Sequence, residues 1–90
     1  MTPSPAEPAL SLSAWLDLVL RELPDAATVP SAGEQTAILD LARVAAHASE
    51  RIAAPISAYL VGLALRELPA DERAAALQAL VVNLEARAGA

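Results

Sequence analysis

The chain predicts a small all-α fold, a four-helix antiparallel bundle in a single domain with its third helix central. Three observations lead there. Ninety residues allow one modest core. Ala and Leu supply 38 of the 90 positions, so strong helix formers dominate while β-branched and aromatic residues are sparse. Finally, the apolar residues recur at i, i+3 and i+4 between proline-marked breaks.

Residues 1–10 contain three prolines and no apolar period, which predicts a flexible leader ahead of a helical domain over 11–90. Helix 1 is expected over about 12–23, where Leu12, Trp15, Leu16, Val19, Leu20 and Leu23 keep the helical period without a miss. Pro24 stops it, because its ring clashes with the carbonyl four residues back. On that unbroken face Trp15 is expected in the core. Ser31-Ala-Gly-Glu34 then reads as a capping box opening helix 2, expected over 32–51.

Pro55 suits the first turn of helix 3, where a missing N–H costs nothing. That helix is expected over 55–68 and is apolar almost all round, the mark of a central or shared helix. Gly62 within it points to close helix–helix approach, since glycine costs about 1 kcal/mol against alanine there. Helix 4 is expected over 70–88, with Asp71 and Glu72 in its first turn, Leu77, Leu80, Val81 and Leu84 as its buried stripe, and Gly89 at its end. Ser13-Ala-Trp-Leu and Ser57-Ala-Tyr-Leu each precede a Leu-Arg-Glu-Leu-Pro run, but the spacers differ by one residue. One residue turns a helical face by about 100°, so this is similar composition and not duplication.

The chemistry-bearing side chains concentrate in helix 2. Asp40, Arg43, His47 and Arg51 are spaced +3, +4 and +4. On a helix Asp40, His47 and Arg51 would fall within about 20° of one line. His47 is the only histidine, so imidazole chemistry must pass through it. No second histidine supports a metal site, which wants three or four ligands. No nucleophile motif accompanies His47, so no enzyme activity and no cofactor are expected. Arg43 and Arg51 flank His47 by about a turn each, and could clamp a phosphate or nucleotide. The same side chains could equally form a structural or docking face, with the Tyr59 ring buried and its hydroxyl reaching Asp40 or His47.

Composition excludes several classes. There is no cysteine, so disulfides, thiolate metal sites and a cysteine nucleophile are absent. All six basic residues are arginine, which removes Schiff-base chemistry. A net charge of −5 leaves no basic footprint for nucleic acid. The longest charge-free run, Ile52 to Leu65, is 14 residues and contains Pro55, short of the nearly 20 a membrane span needs. No basic, then apolar, leader marks a signal peptide, so a cytoplasmic location is expected. At 56% hydrophobic residues, part of helix 3 or helix 4 is expected to be buried in a homodimer or against a larger protein.

The run from Leu39 to Leu65, LDLARVAAHASERIAAPISAYLVGLAL, resembles a family of small bacterial helical domains of unknown function. The resemblance is carried by Asp40, Arg43, His47, Arg51, Pro55 and Gly62. Such sequences often read Arg-Pro-Ala-Ala-Pro where this chain has Arg51-Ile-Ala-Ala-Pro55, which leaves one proline at the helix 2–3 corner. The resemblance implies a domain occurring alone or attached to molybdenum-cofactor guanylyltransferase-like enzymes. It supplies no activity or catalytic residues. The function expected is a non-catalytic accessory domain docking on itself and on a larger enzyme, with small-anion binding at Arg43, His47 and Arg51 as the alternative.

Overall fold

The computed structural model describes residues 10–24 and 27–89. It contains four helices and, among the described residues, no strand: α1 (Leu12–Glu22), α2 (Ala32–Ala48), α3 (Ala53–Leu65) and α4 (Ala70–Ala88). The all-α, single-domain expectation stands. The expected leader over 1–10 lies, Leu10 apart, outside the described residues.

Local chemistry sets the helix ends. The Ser11 hydroxyl accepts the Ala14 N–H at 3.0 Å and caps α1. The α2 capping box is complete: Glu34 N–H donates to Ser31 Oγ and Ser31 N–H donates to Glu34 Oε1, both at 3.2 Å. Ser49 leaves helical space at φ −131°, ψ −101°, so α2 ends at Ala48 and not near residue 51. No side chain caps α3; the Glu50 and Arg51 carbonyls take the Ala53 and Ala54 N–H groups at 2.9 and 3.2 Å as a tight turn. That helix stops at Leu65, short of Pro69, which instead sits at the start of α4. Gly89 closes α4 at φ +74°, in the left-handed region where glycine has no Cβ to clash.

Packing overturns one expectation. The helix at the centre is α2, which packs against both α3 and α4. The reason is in the side chains: Ala37, Leu41 and Val44 are buried on α2, Leu77 and Val81 on α4, and none on α3. Leu41, Val44 and Val81 form the core, with Val61 and Leu84 packed against them. All-round hydrophobicity did not make α3 central, because a helix buries only the stripe its neighbours can reach.

The first helix is a second departure. No residue of α1 is buried, and Trp15, expected in the core, is 52% exposed. Leu16, Val19 and Leu20 are half-buried. The radius of gyration is 15.2 Å, against about 12 Å for a tightly packed chain of this length. Its principal extents are 49 × 30 × 20 Å.

Candidate functional site

The strongest polar cluster lies on the inner side of α2, away from the stripe expected to carry chemistry. Glu34, Ala37, Leu41 and Val44 follow one another at +3, +4 and +3 and are the four buried residues of α2. Glu34 is only 4% exposed, and Arg73 from α4 reaches it across the fold. Arg73 Nε donates to Glu34 Oε2 at 2.8 Å and Nη2 to Oε1 at 3.4 Å, while Nη1 donates to the Leu68 carbonyl at 2.7 Å. Hydrogen bonding from Arg73 holds the Glu34 carboxyl below its ordinary value of 4.5. Burial opposes that shift, and the Ser31 N–H and the Arg73 charge reinforce it. The Arg73 guanidinium is correspondingly raised by its bond to Glu34. One carboxylate thus caps α2 and ties it to α4.

This ion pair edges an open cavity of about 710 Å³ between the three packed helices. Its walls mix the Glu34 and Arg73 side chains with apolar groups: Ile38 and Leu41 from α2, Ala58, Val61 and Leu65 from α3, and Leu77 from α4. Gly62 also lines it. A Cβ built there meets nothing within 4 Å, so the close helix approach expected at this glycine does not occur among the described residues. Ala27, Thr28 and Pro30, from the segment joining α1 to α2, border the cavity, as do Arg66 and Glu67.

The expected stripe is only partly assembled. Asp40 and Arg43 face each other at 3.9 Å on the exposed side of α2, and Arg43 Nη2 meets Glu85 Oε2 of α4 at 3.3 Å. Arg43 is therefore engaged by two carboxylates, and this face is held toward α4. His47 lies exposed in the last turn of α2. Among the described residues no hydrogen bond joins it to Asp40 or Glu50. Arg51 lies beyond the end of α2, in the turn before α3, so the helical spacing that aligned it with Asp40 and His47 is broken. Tyr59, expected to be buried against this face, is 72% exposed.

Sequence reading missed Arg73, Glu85 and the cavity. One signal was available: Glu34 sits at helical spacing from Ala37, Leu41 and Val44, and a carboxylate on an apolar stripe demands a cationic partner. Nothing local pointed to Glu85, 42 residues from Arg43. Among the described residues, no group of three or more His, Cys, Asp or Glu side chains could hold a metal ion. Among them, too, no helix is long and apolar enough to cross a membrane.

Fold and site together define a small all-α domain, with a buried glutamate tied to a half-buried arginine across two helices and an open groove of mixed polarity beside them. The chain belongs to the family described as a domain of unknown function (DUF6457), which it matches over residues 7–90. No curated protein and no solved structure matches it.

Proposed function

We propose that this domain is a non-catalytic interaction module that docks on a second copy of itself and on a larger enzyme. One observation carries the reading. Ile56, Tyr59, Leu60 and Leu63, spaced i, i+3, i+4 and i+7 along α3, are 63%, 72%, 66% and 45% exposed. They make a continuous apolar stripe on a helix whose other side faces the cavity. Apolar patches of this kind mark interaction surfaces, and aromatic anchors such as Tyr59 dominate their energetics. Asp40, Arg43, His47 and Arg51 are exposed polar groups elsewhere on the domain, with Arg43 held toward α4.

The partner class follows from the resemblance of residues 39–65 to domains attached to molybdenum-cofactor guanylyltransferase-like proteins. We take an enzyme of that class as the docking target. The test is calorimetric titration of the purified chain into such an enzyme, beside a folded Leu60→Asp variant. Binding by the wild type that the variant loses supports the reading; no binding by either removes the enzyme partner. A phosphate or nucleotide site at Arg43, His47 and Arg51 is the competing reading, favoured by the exposure of His47 and Arg51. Phosphate-dependent NMR shifts centred on His47, with no loss on Leu60→Asp, would select it.

A further inference from the structure

We propose that α3 pairs with α3 of a second copy of this chain, antiparallel across a two-fold axis that passes between Tyr59 and Leu60. This pairing rests on the self-docking half of the function above, and it fixes which residues meet and which way the helices run. The surface is the outer stripe of α3. Ile52, at the N-cap and 62% exposed, continues the row of Ile56, Tyr59, Leu60 and Leu63 at one end. Glu67 continues it past the other end, with 88% of its side chain in solvent. Among the described residues, the chain's other helices leave all six side chains exposed.

The spacing of that stripe is symmetric. Ile52 and Glu67, Ile56 and Leu63, and Tyr59 and Leu60 are three pairs centred on one point, midway between Tyr59 and Leu60. On a helix Ile56 and Leu63 fall within about 20° of one line, with Tyr59 and Leu60 about 50° to either side. Turned end over end, the stripe therefore meets itself. Ile56 opposes Leu63 of the second copy, and Tyr59 opposes its Leu60. A two-fold interface requires one patch to complement itself in this way. An unrelated protein places no such demand on the spacing, and a net charge of −5 opposes an anionic lipid surface.

Charge sets the direction. From Ala53 to Leu65 α3 has no ionised side chain, so its ends decide. Antiparallel packing brings Glu67 of each copy to the N-terminal end of the other's α3, where the helix dipole favours an anion. Glu50 and Arg51, in the turn before that end, carry opposite formal charges and cancel. Arg66 lies 3.6 Å from Glu67 but gives its hydrogen bond to the Leu63 carbonyl, which leaves the carboxylate open to a second contact. Parallel packing would set Glu67 against Glu67 and align the two dipoles.

The 13 residues of α3 make a rod about 20 Å long. One such helix pair buries less than the roughly 800 Å² per partner of a standard interface, so association is expected to be reversible and concentration-dependent.

The absence of cysteine makes the test direct. Full-length Ile56→Cys and Leu63→Cys proteins, both altered at exposed positions, are checked for helicity by circular dichroism. They are then oxidised separately and as an equal mixture, in salt sufficient to screen the charge on each chain. The expected product is a mixed disulfide between positions 56 and 63, identified by peptide mass mapping. It should exceed either homodisulfide by about tenfold. Like positions lie about 10 Å apart along an antiparallel pair, beyond the roughly 4 Å between Cβ atoms that a disulfide spans. Independently of the cysteine variants, sedimentation from micromolar to millimolar concentration should show a dimer of the unaltered chain. Leu60→Asp should weaken it by at least about tenfold. Homodisulfides equal to or above the mixed product overturn the antiparallel register. A dimer that survives Leu60→Asp and forms no link between 56 and 63 overturns this pairing while self-docking stands. A chain monomeric to millimolar concentration, with no cross-link, overturns both. If that monomer binds the larger enzyme and Leu60→Asp abolishes the binding, the stripe belongs to the enzyme and not to a second copy.

Discussion

The two sides of α2 carry similar side chains to different ends. On the inner side Glu34 lies among Ala37, Leu41 and Val44, removed from water and bound by Arg73. On the outer side Asp40 and Arg43 pair at 3.9 Å with about half of each side chain in solvent. Charge pairs in water gain little, because solvent already satisfies both partners and screens the attraction. A buried carboxylate has no such alternative, so losing its partner leaves an uncompensated charge. Ion pairing is common to both sides; burial decides which one the fold depends on.

Several measurements would break or sharpen that contrast. The largest effect belongs to the inner face itself: Leu41→Ala, at 1% exposure, should lower stability by about 3 kcal/mol in urea denaturation. Next, Arg73→Ala should destabilise far more than Arg43→Ala, because only Glu34 would be stranded among apolar side chains. If the two losses proved equal, burial would not be what separates the pairs.

The same pair predicts a pH signature. Glu34 is held below 4.5 in the folded state, so near that pH the folded chain binds fewer protons than the unfolded one. Its contribution is complete above the ordinary value and is lost as pH falls through the lowered one. Denaturation midpoints measured from neutral to acidic pH should fall through this window in the wild type. The drop should be blunted in Glu34→Gln.

Smaller effects come from the α3 wall and the outer face. Gly62→Ala should stabilise the domain by about 1 kcal/mol in thermal denaturation, since a Cβ there meets nothing within 4 Å among the described residues. Arg43→Ala should cost about 0.5 kcal/mol or less, and that cost should shrink further in high salt.

Much of the fold was legible in the sequence because it is local. Ser31 and Glu34 lie three residues apart and cap the same turn, and Gly89 is the residue type that a left-handed stop requires. The stripe of α4 was legible for the same reason, with Leu77 and Val81 buried and Leu80 and Leu84 partly so. The candidate site was less so. Arg51 fell off the stripe because α2 unwinds at Ser49, a serine like those that elsewhere open helices. Trp15 and Tyr59 sit on apolar faces that look like core, but a face is buried only where a neighbour arrives.

By itself, the sequence determined the all-α class, the number of helices and most of their ends. Helix propensity, capping and proline breaks act over three or four residues, within reach of a one-dimensional reading. Only the tertiary structure decided that α2 is central, that Arg73 answers Glu34 from 39 residues away, that no residue of α1 is fully buried and that one face of α3 is exposed. Those outcomes depend on which stripes meet in space, and many pairings of four amphipathic helices satisfy the same local rules.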